Sequence, residues 1–400
     1  MSEKKNVAIL VQKLYGGGAE RTAANLSLSL QDRYNVHLIV FNGSDIKYPY
    51  GGTLHDLKLP ASKNKFSRIC KFFKRVPAVK KIKRDENIAV TISLMPGANL
   101  VNVCARTGDK IITSIRNQMS MSRAKSAFEK WWTKTQIRFT SKRSDLVVTL
   151  SDGVRDDLIK SFGINGDIIR TIYNPCDGEV LRSAALANKE AASVLGPNSI
   201  TTMGRLLDQK GQWHLIRAMS EVVKKVSDAK LYILGEGHLR EGLVKLASDM
   251  GLSSNIEFMG FVEAPHAYVM NSSVFVLPSL YEGLGNVILE SMSCGVPCIC
   301  TDCLSGPREI LAPGTAYKET LSDIEYAEYG VLVSVGDKGH FNSDDPLTEA
   351  ELQMASAIVT MLADKDLHDR YVSKSLERVK DFAPEVISSK WAEVIEGKRS

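Results

Sequence analysis

Val274-Phe275-Val276-Leu277-Pro278-Ser279-Leu280-Tyr281-Glu282-Gly283-Leu284-Gly285-Asn286-Val287-Ile288-Leu289-Glu290-Ser291-Met292 is the stretch on which the reading of the fold turns. Its first four residues are β-branched, aromatic or aliphatic throughout, the composition of a buried strand, and Pro278 ends that strand because it has no N–H for a ladder. A glycine-punctuated loop follows and opens a helical pattern. Glu290 lies eight positions after Glu282, so one carboxylate falls in the loop and the other about a turn inside the helix. The N–H groups of Gly283, Leu284 and Gly285 would face an anion at the helix start, and a carboxylate can accept pairs of hydrogen bonds from hydroxyl groups. Taken alone, Glu282 reads equally as a helix-start charge and Glu290 as a surface residue.

Outward from this unit, short β-rich runs alternate with longer helical patterns, which argues for parallel sheets flanked by helices. The alternation occurs twice. The first series places strands at 6–11, 35–41, 89–93, 110–114 and 146–150; the second at 199–203, 229–234, 256–259, 274–277, 297–301 and 330–333. Between them Tyr173-Asn174-Pro175-Cys176-Asp177-Gly178 is rich in turn formers and reads as a hinge. A last helix from Pro384 carries Val386, Ile387, Trp391, Val394 and Ile395 on one side, and either lobe could supply the surface it needs.

A chain of 400 residues, 44% hydrophobic and 24% charged, has the composition of a globular protein of two or three domains. No run approaches the roughly 18 apolar residues of a membrane span, and the run at 7–11 is too short for a signal peptide. Seven cysteines, an odd number in a large chain, fit reduced thiols and a cytoplasmic location. The net charge of +5 hides an asymmetry: residues 1–190 carry 32 Lys and Arg against 17 Asp and Glu, a charge of +15, and the remainder carries −10. The first half is therefore expected to meet an anionic partner, a nucleic acid or an anionic membrane surface.

Two further loops follow strands. Gly16-Gly17-Gly18-Ala19-Glu20-Arg21 matches neither the dinucleotide fingerprint nor the Walker P-loop, and reads either as a ligand-approach loop at a helix N-terminus, with the helical pattern from Thr22 to Leu30, or as a tight turn. Gly204-Arg205-Leu206-Leu207-Asp208-Gln209-Lys210-Gly211 sets two cations five residues apart at the C-terminal edge of a strand, where they could converge on a diphosphate or form a solvated basic loop.

Cys294, Cys298, Cys300 and Cys303 invite a zinc reading. However, 297–301 reads as a buried strand without the turn of a zinc knuckle, so no metal site is expected. From Lys63 to Arg84 there are ten Lys or Arg and no acid, with Ile69, Phe72, Phe73, Val76 and Val79 at helical spacing and Pro77 expected to interrupt or kink the helix. Arg123, Lys125, Lys130, Trp131, Trp132, Lys134, Arg138, Lys142 and Arg143 form a second basic, aromatic patch. Such surfaces suit anionic lipid headgroups or are simply solvated faces, and no nucleic-acid motif accompanies them.

Together, Glu282 and Glu290 around their EGLGNVILES core, Gly204-Arg205-Leu206 with Lys210-Gly211, and Leu234-Gly235-Glu236-Gly237 resemble the retaining GT-B glycosyltransferases of family 4. The Gly16 to Arg21 loop, Asn174-Pro175 and Ser305-Gly306-Pro307-Arg308-Glu309 extend the resemblance over nearly the whole chain, in the right order. It is most similar to bacterial enzymes that build capsule, O-antigen, exopolysaccharide or lipid-linked glycans, including N-acetylgalactosaminyltransferases of protein N-glycosylation.

The resemblance implies an α/β protein of two Rossmann-like parallel-sheet domains facing across a cleft: an acceptor-binding domain over 1–175, a nucleotide-sugar-binding domain over 176–380, and a C-terminal helix over 381–400 free to return to the first domain. It implies that Arg205 and Lys210 neutralise the donor diphosphate, that Glu282 holds hydroxyls of the transferred sugar, and that Glu290 holds the ribose. Arg205, Lys210 and Glu282 carry the catalytic expectation; Gly17, Gly18, Gly204, Gly283, Leu284, Gly285 and Asn286 complete the donor site. Many relatives have a histidine where this chain reads Ser114-Ile115-Arg116-Asn117; the resemblance implies that Arg116, or Asn117 beside it, takes that place against the donor, and Arg116 reads equally as a structural arginine in a loop.

The implied reaction transfers a hexosyl or N-acetylhexosaminyl group with retention and without a metal or cofactor, the nucleotide sugar being a substrate, a UDP-sugar ahead of a GDP-sugar. It requires positive charge where the diphosphate departs. The implied partners are a saccharide acceptor, lipid-linked or polysaccharide, and an anionic membrane surface on the inner face of the cell membrane, with no nucleic acid. The rivals are an epimerase or phosphorylase of the same fold, and a non-catalytic basic protein binding membrane or nucleic acid; only the enzyme releases a nucleoside diphosphate when given donor and acceptor.

Overall fold

The computed structural model describes residues 4–62, 64–121, 126–188, 194–317, 321–337, 339 and 342–397. Lys63, Arg123 and Lys125 of the basic runs lie outside the described residues. The chain forms two compact units, 1–175 with 384–400, and 176–383.

In the first unit the order along the chain is β1 (Asn6–Val11), α1 (Gly18–Leu30), β2 (Asn35–Val40), β3 (Thr53–Asp56), α2 (Lys65–Asp85), β4 (Val90–Leu94), α3 (Pro96–Cys104), β5 (Lys110–Ile115), α4 (Ala127–Lys142), β6 (Leu146–Thr149), α5 (Asp152–Phe162) and β7 (Ile169–Thr171). The strands pair in parallel in the order β3-β2-β1-β4-β5-β6-β7. Ile9 stands in register between Leu38 and Ile92, and Ile92 beside Ile112. These central strands are buried over nearly their whole length; β1 accordingly reads as a continuous apolar run, whereas β4 and β5 bury Thr91, Ser93, Thr113 and Ser114 among their apolar residues.

The second unit contains α6 (Gly178–Ala187), β8 (Ser199–Met203), α7 (Gln212–Lys225), β9 (Lys230–Leu234), α8 (Arg240–Asp249), β10 (Ile256–Gly260), α9 (Pro265–Met270), β11 (Val274–Leu277), α10 (Asn286–Ser293), β12 (Cys298–Thr301), α11 (Pro307–Leu311), β13 (Glu325–Tyr326), β14 (Val331–Val333), α12 (Glu349–Ala363) and α13 (Lys365–Arg378). Its sheet runs β10-β9-β8-β11-β12-β14-β13, parallel except for the β13–β14 pair. Both sheets reverse direction of growth at the same place, between β1 and β4 and between β8 and β11. Open parallel sheets of this kind bind ligands outside the strand ends at that switch point, and the glycine loops after β1, β8 and β11 all lie there.

The expected strands are present, and β3, β7 and β13 are additions. Each is an edge strand of two to four residues, too short for a periodic signal. Two helical expectations need correction. Helix α1 begins at Gly18, ahead of Thr22, because extended Gly17 (φ −147°) supplies the N-cap. Helix α2 continues through Pro77 without interruption. Pro77 sits on the exposed side, so the carbonyl that loses its partner is open to water.

The apolar residues of α2 also divide in a way the spacing did not show. Val79 is buried, and Phe72, Val76 and Ile82 pack on its cluster with Ala8, Leu10 and Ile39. Phe66, Ile69 and Phe73 are exposed. The final helix, α14 (Pro384–Glu396), buries Ile387, Trp391 and Ile395 against Leu26, Val148 and Ile172 of the first unit. Lys5 and Glu396 pair at 2.6 Å, and Lys110 Nζ donates to the Val394 carbonyl, adding polar contacts to that apolar seam.

Candidate active site

In the second unit three loops lock together beyond the ends of β8, β9 and β11. The Gly204–Leu206 backbone lies directly on that of Gly235 and Gly237: a Cβ on Gly235 would come within 1.9 Å of the Gly204 carbonyl oxygen, and one on Gly237 within 2.2 Å of that of Leu206. Only glycine permits this approach, which accounts for the Gly235-Glu236-Gly237 spacing. Gly211, at φ +60°, would likewise drive a Cβ into the Pro278 carbonyl. Leu280 N–H donates to the Gln209 carbonyl at 2.8 Å, and Gln209 Nε2 to the Tyr281 carbonyl at 2.9 Å, so the loops bearing Lys210 and Glu282 are zipped side by side.

That packing brings two of the expected residues, Lys210 and Glu282, together. Lys210 Nζ lies 2.6 Å from Glu282 Oε1, which also accepts from Ser279 Oγ at 2.7 Å. Glu282 is buried, so it is a built part of the loop and not a surface charge at a helix start. Arg205 is exposed on the same loop as Lys210, with no acid partner among the described residues. Glu290, in α10, lies 3.2 Å from His266 Nε2, a neighbour on α9 that periodicity gave no reason to single out. Gly285 caps α10 at φ +83°, and Asn286 is its first residue. Gly283, Leu284 and Gly285 are buried, yet no acceptor for their N–H groups is present among the described residues. Buried N–H groups are rarely left so, and three in sequence at a helix start make a cradle for an anion.

In the first unit the Gly16-Gly17-Gly18 loop leads from β1 to α1. A Cβ on Gly17 would meet the Glu20 carboxylate at 2.2 Å, whereas one on Gly18 would meet nothing within 4 Å. A shift of the Glu20 side chain would relieve the contact at Gly17, and Gly18 leaves open space at the helix N-terminus. Arg116, at the end of β5, is buried and donates to Asn174 Oδ1, with Thr22 Oγ1 and Ser114 Oγ each at 3.4 Å. Its surroundings are neutral among the described residues, and burial pulls it down to about 10. Thr22 in turn donates to the Gly18 carbonyl at 2.8 Å, so Arg116 stands behind the glycine loop, tied to the residue before Pro175.

Cys294, Cys298, Cys300 and Cys303 are buried, the middle two on β12 as expected. Burial pushes the Cys294 thiol up to about 11 and raises the other three as well, which opposes the thiolate form that metals bind. His37, His55 and Glu86 bring one ligand atom each within 4.8 Å of one another, a grouping across β2, β3 and the end of α2 that sequence spacing did not reveal. His37 Nδ1 and His55 Nε2 are 3.1 Å apart with ring centres 5.4 Å apart, so the two nitrogens point at each other and share a hydrogen bond.

Residues 16–180 match the family model Glycosyltransferase Family 4, and residues 186–328 match Glycosyl transferases group 1. An uncharacterized glycosyltransferase of Methanocaldococcus jannaschii is 40% identical over 198 residues, a match spanning 49% of this chain and 48% of that protein. The Campylobacter jejuni N-acetylgalactosamine-N,N'-diacetylbacillosaminyl-diphospho-undecaprenol 4-alpha-N-acetylgalactosaminyltransferase is 29% identical over 94% of this chain and 96% of its own. Among solved structures, Anabaena HepE in complex with UDP superposes with a TM-score of 0.73 at 17% identity, covering 98% of this chain and all of that one, a likeness of fold.

Proposed function

Because this chain belongs to the GT-B glycosyltransferases that join a Family 4 module to a group 1 module, we propose that it moves a hexosyl or N-acetylhexosaminyl group from a UDP-sugar to a lipid-linked or polysaccharide acceptor in the assembly of a bacterial surface glycan. The observation that carries this reading is the Lys210–Glu282 pair beside the three unaccepted N–H groups of residues 283–285, all at the switch point of one sheet. A cation, a hydroxyl-accepting carboxylate and an anion cradle are what a sugar diphosphate needs.

In this reading Arg205 and Lys210 stabilise the charge that develops as the glycosidic bond to the diphosphate breaks. Glu282 holds hydroxyls of the transferred sugar and Glu290 the ribose. The acceptor hydroxyl attacks on the face the nucleotide leaves, and the departing phosphate oxygen takes its proton, so the anomeric configuration is retained without a metal or cofactor. In the first unit the family resemblance assigns Gly17, Gly18 and Arg116 to the donor, and the open space at Gly18 is compatible with that assignment.

The membrane part of the reading is supported by the surface of the first unit. Phe66 is 75% exposed and Trp131 58%, with Ile69, Phe73, Phe128 and Trp132 also exposed, on helices rich in Lys and Arg. Among the described residues no helix is long and apolar enough to cross a membrane. Attachment to the cytoplasmic face through these aromatic and basic side chains fits a lipid-linked acceptor.

The test is to supply a panel of UDP- and GDP-sugars with an undecaprenyl-diphosphate-linked saccharide and to measure nucleoside diphosphate release, with and without EDTA. Release that depends on acceptor and survives EDTA, with a product whose anomeric configuration by NMR matches the donor, is expected. Inversion, or activity abolished by EDTA and restored by Mn²⁺, would overturn the mechanism.

A further inference from the structure

The Ser305-Gly306-Pro307-Arg308-Glu309 motif follows β12 and runs into the start of α11, and none of the roles given so far uses it. The turn runs beneath the 279–285 loop and touches it at several points. Thr301 Oγ1 donates to the Ser279 carbonyl at 2.5 Å, and Ser305 Oγ donates to the Glu282 carbonyl at 2.7 Å. A Cβ on Gly306 would fall 2.2 Å from the Leu284 carbonyl oxygen, so the backbones are in direct contact there.

The turn itself is tied down by ion pairs. Arg308 is buried and donates to both Asp302 carboxylate oxygens, with Glu325 Oε2 3.0 Å away on the other side. Ser305 is held at φ +63° and Gly306 at φ +98°. A serine keeps a left-handed backbone only where its surroundings over-determine it, and such strain collects at functional sites.

Peptide planarity turns these contacts into a statement about donors. Across a trans peptide the C=O of one residue and the N–H of the next point in opposite directions. The Glu282 carbonyl, drawn down to Ser305, therefore directs the Gly283 N–H away from the turn. The Leu284 carbonyl, pressed on Gly306, fixes the plane that carries the Gly285 N–H in the same manner. These are two of the N–H groups that have no acceptor among the described residues.

We infer that Ser305 and Gly306 are positioning residues that aim the Gly283 and Gly285 N–H groups at the distal phosphate of the nucleotide donor, an inference that rests on reading the 279–285 loop as the diphosphate site. Neither residue touches the donor. They preorganise the dipoles that meet the charge of the leaving group, as an oxyanion hole does.

Calorimetric titration of the full chain with UDP and with UMP tests this, since only UDP carries the distal phosphate. Ser305→Ala should weaken UDP binding roughly tenfold, the size of one well-placed hydrogen bond to a charged group, and leave UMP binding unchanged. Ser305→Asn, which tolerates a left-handed backbone and retains a donor, should recover most of the loss. A general disturbance of the fold would weaken UMP as well, and that result, or equal UDP affinity in wild type and Ser305→Ala, would overturn the inference. If the wild type binds UDP no better than UMP, the diphosphate site itself is wrong and the inference falls with it.

Discussion

Lys210 and Glu282, 72 positions apart, meet at 2.6 Å because the loops that carry them are hydrogen-bonded edge to edge between Gln209 and residues 280–281. The pairing couples two roles that otherwise look separate. On the proposed function, a diphosphate drawn to Lys210 competes with Glu282 for the ammonium, and a sugar hydroxyl then finds a carboxylate oxygen ready to accept. Cation and carboxylate are handed from each other to the two ends of one substrate.

Arg205 and Lys210 should consequently differ in stability and agree in catalysis. Arg205→Ala should lower kcat/KM by roughly 10²–10³ with an unchanged Tm, since Arg205 is exposed and has no acid partner among the described residues. Lys210→Ala should lose comparable activity and also about 3 kcal/mol of stability, because it leaves Glu282 buried without its cation. Lys210→Met combined with Glu282→Leu should regain stability but no activity. Thermal melts alongside initial rates decide it; near-normal rates in both single variants would remove the assignment.

The two carboxylates should separate by ligand. Glu290→Gln should weaken UDP itself, because the ribose contact proposed for it needs no sugar. Glu282→Gln should bind UDP at least as tightly as wild type, Lys210 being released, yet turn over the nucleotide sugar poorly. Calorimetry with UDP paired with steady-state kinetics would show the roles exchanged if the pattern reversed.

Membrane attachment should depend on the exposed aromatics as much as on charge. Arg75 stacks on Phe41 and donates to the Leu59 carbonyl, so it belongs to the fold and is a poor probe. Phe66→Ser, Phe73→Ser, Lys74→Ser and Trp131→Ser together alter exposed positions only. This variant should bind anionic vesicles less well and lose activity on lipid-linked acceptor, while activity on a short soluble acceptor survives. Wild-type binding should fall with salt, with attraction of about 1 kcal/mol per basic residue near the surface. Equal binding of wild type to neutral and anionic vesicles would reduce these helices to solvated faces.

Glu351 should govern part of the acid stability of the second unit. Burial alone would raise its carboxyl, but His214, Arg217 and the Thr348 N–H hold it below the ordinary glutamate range. A group depressed on folding contributes stability that is complete above its unfolded pKa, about 4.3, and is lost as pH falls through the folded value. Glu351→Gln should cost about 3 kcal/mol near pH 7 and flatten the dependence of Tm on pH below about 4. Melts across pH 2–7 on both proteins measure the difference, and parallel curves would contradict it.

Most of the sheet framework was legible without coordinates. The runs at 6–11 and 274–277 are apolar at nearly every position, which only strands covered on both faces require. The strand–glycine–helix units likewise located the loops after β1, β8 and β11, because glycine at a strand end has few other uses. Exposure on α2 was not legible: Phe72 and Phe73 are adjacent and equally apolar, yet one packs on the core and the other faces solvent, since helical phase depends on where the helix rests. The interruption offered as one outcome at Pro77 does not occur for a related reason, its lost hydrogen bond costing little on a face open to water.

By itself the sequence determined what is local: which segments are strands, where glycine loops interrupt them, and which loops carry cations and carboxylates. Only the tertiary structure decided what is distant. It set Trp391 of the last helix against Ile172 of the first unit, where the sequence left either lobe open. It joined Lys210 to Glu282, placed His266 on Glu290, and put Ser305 beneath the Glu282 carbonyl. The physical reason is one of range. Backbone conformation follows from sterics and hydrogen bonding within a few residues, whereas a pairing across 72 positions exists only after β8 and β11 have paired within the sheet and brought the loops that follow them side by side.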